Sequence, residues 1–367
     1  MTPNPANYTP LTPLAWLERA AISFSSKEAI IHGDTRTTYA QMAAEATRVA
    51  HALRASGIEE GDRVAYLCPN IPPMLIAHFA VPLAGAVLVA INTRLSGSEV
   101  EYILQHSGAR ALVADTELFP VVEPHLQACP DLSQIISVDD IGAGTPAGTV
   151  DYAEFLATGS NQPLPWTVED ELAPISINYT SGTTGRPKGV LYSHRGAYLN
   201  ALSEIIHSKH TAESVYLWTL PMFHCNGWCT TWGVTGIGGR HICLRAVRPD
   251  AVWRLIREER VTHHPAAPTA LIALVNAPAA DPLLHRLNAT TAGAPPSPTI
   301  IAQVEALGAE LVHTYGLTET YGPHTVCEIQ DAWSEVSPEE KARLMSRQGV
   351  SFITADPTRV VDEQMAD

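Results

Sequence analysis

Short apolar runs alternate with helix-length segments along most of the chain, and this alternation restricts the fold more than any single residue does. Strand-like runs at 63–68, 86–91, 110–114 and 134–138 are separated by helix-like segments such as 41–56, 69–84 and 96–106. Strand and helix in regular succession predict a doubly wound, mostly parallel sheet. Between Asp139 and Asp170 the pattern lapses into Gly, Pro, Thr and acidic residues, which predicts a surface connection. It restarts at Leu172. We therefore expect an α/β fold of two packed, mostly parallel sheets flanked by helices. The expected subdomains cover about residues 1–170 and 171–330, with 331–367 as the start of a further, incomplete unit. In that last part Ser337-Pro338-Glu339-Glu340 opens a short charged helix, and Thr358-Arg359-Val360-Val361 is strand-like.

One interruption of the alternation carries chemistry. After the strand-like Ile175-Ser176-Ile177-Asn178 comes Tyr179-Thr180-Ser181-Gly182-Thr183-Thr184-Gly185-Arg186-Pro187-Lys188-Gly189-Val190, and a helix-like segment opens near His194. Glycine lets a backbone approach a ligand closely, and successive N–H groups in such a turn make an anion-binding concavity. Thr180, Ser181, Thr183 and Thr184 add hydroxyl donors around Gly182, and Lys188 adds a point charge suited to phosphate. The physical reading is a loop that grips the phosphates of a nucleotide. A Walker A loop is excluded, because Pro187 precedes Lys188 and Gly189 follows it where a Gly and a Ser or Thr are required. A flexible Ser/Thr/Gly linker is the bland alternative.

A second segment, Tyr315-Gly316-Leu317-Thr318-Glu319-Thr320, follows the strand-like Leu311-Val312-His313-Thr314. Ligands of open α/β sheets bind at the carboxyl ends of strands. There Tyr315 can offer a ring face, Thr318 can donate to a phosphate, and Glu319 can hold Mg²⁺ through a hard oxygen. Taken alone, the segment reads sooner as an ordinary loop with a surface Glu.

The run YTSGTTGRPKGV resembles the phosphate loop of the acyl-adenylate-forming family, which includes acyl-CoA ligases, peptide-synthetase adenylation domains and luciferases. YGLTET resembles that family's second signature and lies in the expected order. The resemblance implies that Tyr315 stacks on adenine, that Gly316 and Thr318 contact nucleotide, and that Glu319 binds Mg²⁺. Thr291-Ala292-Gly293-Ala294-Pro295 is similar to the family's adenine wall, with Gly293, Ala294 and Pro295 at the matching positions and Ala292 where many members carry another glycine. Pro221-Met222-Phe223-His224-Cys225-Asn226-Gly227-Trp228-Cys229 admits a zinc reading through His224, Cys225 and Cys229, but a fourth ligand is lacking. By resemblance His224 instead lines the junction of acyl pocket and thiol tunnel, Trp228 walls the acyl pocket, and Gly316 borders the substrate. His263-His264 has no carboxylate partner in sequence, and His264 or Pro265 is expected to line the substrate channel.

The activity so implied is ATP-dependent activation of a carboxylic acid as its acyl-adenylate, followed by transfer to coenzyme A. The groups expected to act are Thr180, Lys188, His224, Thr318 and Glu319. A short or medium acyl chain is expected, as in fatty acid metabolism, because PMFHCNGW and YGLTETYGP most resemble ligases of fatty acids and of methylmercaptopropionate. An amino-acid adenylation domain would want an Asp in the 221–228 segment, and none is present. A non-catalytic nucleotide-binding module is the alternative from another class. After Glu319 no Tyr-x-Thr-Gly-Asp segment follows. The resemblance therefore covers only the family's large N-terminal domain, and a truncated, poorly active chain lacking its C-terminal partner domain is expected.

Charge and cysteine usage narrow the partners. With 23 basic and 38 acidic residues the net charge is −15, which repels nucleic acid and anionic membranes. No apolar run reaches the roughly 18 residues of a membrane span. Six dispersed cysteines fit reduced thiols, and a cytoplasmic enzyme, with homodimerisation left open, is the expectation.

Overall fold

The structure, a computed structural model, describes residues 8–180 and 186–366. Two mostly parallel sheets form the frame. The seven-stranded sheet contains β3 (Arg63–Leu67), β4 (Val87–Ala90), β5 (Ala109–Asp115), β6 (Gln134–Val138), β7 (Val150–Asp151), β8 (Pro174–Thr180) and β9 (Lys188–Ser193), in the spatial order β7-β6-β5-β3-β4-β8-β9. The nine-stranded sheet begins with the hairpin β1 (Glu28–His32) and β2 (Thr35–Thr38). It continues with β10 (Val215–Leu217), β11 (Arg240–Ile242), β12 (His263–Pro265), β13 (Leu287–Thr291), β14 (Ala309–Leu317), β15 (Gly322–Val326) and β16 (Val350–Ser351). Its order is β16-β15-β14-β13-β12-β10-β11-β1-β2. The early β1–β2 hairpin thus sits in the sheet otherwise built from residues 215–351.

Helices cover both faces of each sheet, as parallel strands require. Helix Pro72–Leu83 is buried from Met74 to its end and lies in the apolar layer between the sheets. That layer joins Val64 and Tyr66 of one sheet to Tyr216 and Trp218 of the other. Separate clusters pack the outer faces, one around helix Gly97–Ser107 and one around helices Pro249–Glu258 and Pro298–Ala306. A charged junction ties the sheets as well. Arg245, just after β11, donates to Asp115 at the end of β5 (2.6 and 2.7 Å) and to Asp140 (3.1 Å). Among the described residues no helix is long and apolar enough to cross a membrane.

Three departures from the sequence reading have physical reasons. The 139–170 connection is not all irregular: Asp151 caps a helix, Tyr152–Ala157, whose Phe155 is buried. Thr358–Val361 forms no strand. Val360 is 90% exposed, so the β-branched side chains have no sheet face to pack on. Instead Ser351 Oγ accepts from Thr358 N at 2.7 Å. Finally, β14 does not stop at Thr314. It runs through Leu317 and returns antiparallel as β15, which sequence alone did not reveal.

Candidate active site

β10, β12, β13 and the first part of β14 run parallel, so their carboxyl ends share one sheet edge. The segments singled out in sequence leave from that edge. Residues 221–229 follow β10, His264 and Pro265 end β12, residues 292–297 follow β13, and 315–320 complete β14 and its turn. This is where ligands of open α/β sheets bind.

The strands on either side of residues 181–185 belong to the other sheet, and β9 reaches the same edge through Tyr192. β8 and β9 pair antiparallel, with Thr180 opposite Lys188 closing the hairpin. Ser181, Gly182, Thr183 and Thr184, four of the residues expected to hold phosphate, lie outside the described residues, as does Gly185. The shoulder after them is docked: Tyr102 Oη donates to Pro187 O (3.2 Å), and the Arg186 guanidinium lies 5.5 Å from the Tyr102 ring centroid. Thr180 is half-buried, and Lys188 is exposed.

Downstream in β9, Tyr192 Oη donates to Thr318 O at 2.7 Å, and its ring packs on Tyr321 with centroids 4.1 Å apart. Ser193 N donates to Tyr321 Oη at 3.1 Å. These contacts fasten the hairpin carrying Lys188 to the turn carrying Thr318 and Glu319. Four residues of extended chain separate Lys188 from Tyr192, about 13 Å along the strand. Neither Tyr192 nor Tyr321 was singled out in sequence. Tyr321 lies one residue beyond YGLTET, and Tyr192 has only the alternation of β9 to mark it as inward-facing.

Within the turn, Glu319 is exposed, Thr318 is half-buried and Tyr315 is 36% exposed. Gly316 cannot carry a side chain, because a Cβ there would meet Gly322 O at 1.7 Å. Thr318 Oγ1 also lies 3.5 Å from Cys225 Sγ, which brings the 221–229 segment into the group. Gly293, Ala294 and Pro295 are exposed in the loop after β13, beside β14, the strand that carries Tyr315.

The 225–229 segment has a backbone no sequence rule announces. Cys225, Asn226, Gly227, Trp228 and Cys229 all have φ between 50° and 60°, one turn of left-handed helix. For the four residues with side chains, this conformation costs about 1–2 kcal/mol each. Surrounding bonds hold it. Asn226 Oδ1 accepts from Ser176 Oγ and Asn178 Nδ2, both at 2.7 Å, so β8 of the seven-stranded sheet clamps the turn. Thr231 Oγ1 donates to Asn226 O at 3.1 Å. Asn70 donates to Trp218 O and Leu220 O and accepts from Met222 N, fixing the approach to the turn. At Gly227 a Cβ would meet the Trp218 ring at 2.3 Å. Strain of this kind gathers at functional sites.

The turn presents His224 exposed at its start and Trp228 buried near its end. Packed neighbours remove enough water around His224 to lower its pKa. The two thiols point elsewhere than to a shared ion: Cys225 Sγ to Thr318, and Cys229 Sγ to Tyr321 O at 3.4 Å. His264 is buried, and burial brings it down to about 4, so it is neutral at pH 7.

Comparison with known proteins accords with this arrangement. Residues 17–367 match the family described as AMP-binding enzyme. The chain is 41% identical to an acetate/butyrate–CoA ligase of Arabidopsis thaliana, over 98% of this chain and 66% of that protein. It is 38% identical to a 4-hydroxybutyrate–CoA ligase of Metallosphaera sedula, over 95% of this chain and 64% of that protein. The chain thus spans somewhat under two thirds of the length of these relatives. The crystal structure of the inhibitor-bound N-terminal domain of FACL13 from Mycobacterium tuberculosis superposes with a TM-score of 0.81 at 30% identity, covering 94% of this chain and 83% of that one. The family match takes in both sheets and every segment gathered at the shared edge, and on that ground the chain belongs to the AMP-binding enzyme family.

Proposed function

We propose that this chain is the nucleotide- and acid-binding part of an acyl-CoA ligase that activates short to medium carboxylic acids through an acyl-adenylate. The observation that supports it most is the hydrogen bond from Tyr192 to Thr318, because it holds a candidate phosphate loop and a candidate nucleotide turn on one body.

A carboxylate does not acylate a thiol at neutral pH, since oxide would have to leave. In the proposed reaction a carboxylate oxygen forms a bond to the α-phosphorus of ATP, and the bond from that phosphorus to pyrophosphate breaks. The thiol sulfur of coenzyme A then bonds to the acyl carbon, and AMP departs with the carboxyl oxygen. Such transfers depend on positioning and charge neutralisation. Thr180, Ser181, Gly182, Thr183, Thr184 and Lys188 would hold the phosphates. Tyr315, Gly316, Gly293, Ala294 and Pro295 would hold the adenosine, with Thr318 donating to the α-phosphate. His224 would orient the carboxylate, with Trp228, His264 and Gly316 around the acyl chain. The exposed Glu319 carboxylate suits Mg²⁺, which takes one or two carboxylates and completes its shell with phosphates and water. Such an ion would neutralise charge on the departing pyrophosphate.

The strained turn at 225–229 supports a functional site here, since strain of this kind gathers at active sites and ligand clamps. The chain spans 66% of the acetate/butyrate–CoA ligase it matches, so we expect the 367 residues alone to bind ATP and turn over poorly. Six buried free thiols favour a reducing compartment, cytoplasmic or peroxisomal as in the named Arabidopsis relative. Whether two copies associate is part of the same test. ATP calorimetry, pyrophosphate exchange with a panel of two- to eight-carbon acids, and sedimentation on one preparation would check the proposal. Absence of ATP binding would overturn it.

A further inference from the structure

The reading above leaves a set of buried polar side chains without a task. Glu204, His210, Tyr216 and Thr230 line a small internal cavity together with Trp228 and His264. Its free volume is about 10 Å³, room for one water-sized group. The Tyr216 and Thr230 hydroxyls lie 2.9 Å apart and Thr230 Oγ1 also reaches Gly227 O at 2.6 Å, so both hydroxyls have a partner. Glu204 and His210 are different. One Glu204 oxygen accepts from Ser208 Oγ at 3.0 Å, while the other, Oε1, has no partner. Nδ1 of His210 has none either. The two residues are only 1% and 7% exposed. Buried polar atoms are nearly always paired, so two unpaired ones on a single cavity call for a water or a ligand group that completes them.

Their protonation states describe that group. Burial pushes the Glu204 carboxyl up to about 8, and burial, with His263 and His241 nearby, drives the His210 imidazole well below its usual value. At pH 7 the cavity therefore holds an un-ionised acid and a neutral ring. A hydroxyl both donates and accepts, so it satisfies the pair in either tautomer of the ring. A methyl satisfies neither atom. A second carboxylate would bring in a charge with no counter-ion.

We propose that this cavity is the distal end of the acyl pocket, and that it takes the terminal hydroxyl of a short ω-hydroxy acid in preference to a methyl-ended acid of the same length. The inference rests on the ligase reading, which sets Trp228 and His264, two residues lining this cavity, around the acyl chain. Sites built to pair with a substrate hydroxyl reject the analogue lacking it far more strongly than apolar pockets reject an added methylene.

The test uses stable acyl-adenylate mimics, 5′-O-(N-acylsulfamoyl)adenosines, titrated calorimetrically into the 367-residue chain. Butanoyl is compared with 4-hydroxybutanoyl, and the three- and five-carbon pairs are run alongside. We expect the hydroxylated member of at least one pair to bind about 10-fold or more tighter. Glu204→Leu should erase that ratio while leaving butanoyl affinity within about 3-fold, and His210→Phe, a second variant should the first not fold, should do the same. Binding of the methyl-ended mimics with no gain from the hydroxyl at any length overturns the inference and leaves the ligase reading standing. A preference that survives both substitutions overturns it too. If no mimic binds, the ligase reading fails and the inference with it.

Discussion

The hairpin that ends at Thr180 and Lys188 and the left-handed turn at Cys225–Cys229 meet through the same bodies, yet they are specified in opposite ways. The hairpin announces itself by composition: glycine, hydroxyls and a lysine, closing on an antiparallel pair and presenting an exposed Lys188. The turn is nearly all buried, and four of its five residues with positive φ carry side chains that disfavour that conformation. Its shape comes from outside: from Asn178 and Ser176 on β8, from Asn70, and from the Trp218 ring above Gly227. The hairpin is marked by residues that permit many backbone conformations. A wall that must not move is built from strained residues, which the surrounding packing over-determines.

If that contrast is right, substitutions in the turn should act on stability and those in the hairpin on affinity. The largest effect is expected from Gly227→Val. A β-branched side chain would enter a left-handed position, and its Cβ would stand 2.3 Å from the Trp218 ring. Strain and overpacking together should cost about 3–5 kcal/mol, read as the loss of unfolding free energy in urea. A cost below about 1 kcal/mol would mean the turn is not locked. Next is Asn226→Ala, which leaves Ser176 Oγ and Asn178 Nδ2 buried without their acceptor. The expected loss is about 2–4 kcal/mol by the same denaturation. In the hairpin, Lys188→Ala should leave the denaturation midpoint where it was, because the side chain is exposed. It should instead weaken ATP binding by about 1.5–3 kcal/mol in calorimetry, the usual worth of a charged hydrogen bond. A stability loss without an affinity loss would reverse the contrast.

The same contrast explains what the sequence discloses. Both sheets follow from alternation of apolar runs with helices, because burial on two faces imposes that pattern on parallel strands. The candidate nucleotide segments are legible because chemistry with phosphate needs particular residue types in close succession. β15 and the extension of β14 were hidden, since Gly322-Pro323-His324-Thr325-Val326 has too few apolar residues to mark a strand. The left-handed turn was hidden more deeply. Within Cys225-Asn226-Gly227-Trp228-Cys229 only Asn226 and Gly227 take positive φ readily, and the clamp on Asn226 comes from residues about 50 positions earlier, on the other sheet. Glu204 was passed over because a polar residue on an amphipathic helix is ordinarily on its wet face, and His210 because it lies in the polar turn after that helix. Only the packed structure shows them buried.

The smallest effect concerns the bond that joins the two kinds of region. Tyr192 Oη donates to Thr318 O, so Tyr192→Phe removes one hydrogen bond while keeping the ring stacked on Tyr321. The carbonyl of Thr318 keeps a second donor, Tyr321 N at 3.1 Å, so it is not left orphaned. The stability loss should therefore be near 1 kcal/mol, a single neutral hydrogen bond. Affinity for ATP carries the sharper information. If the bond only glues two surfaces, ATP binding will be unchanged. If it sets the spacing between the Lys188 hairpin and the Thr318–Glu319 turn, ATP binding should fall about 3- to 10-fold, a cost of roughly 0.6–1.4 kcal/mol, with the ligand losing reach at one of its two ends. Lys188→Ala combined with Tyr192→Phe then decides the matter. In the spacing case the pair of substitutions should cost less than the sum of the two single losses in ATP binding, because each removes the same grip on the phosphates. Strict additivity would leave the hairpin and the turn as independent contacts that happen to be neighbours.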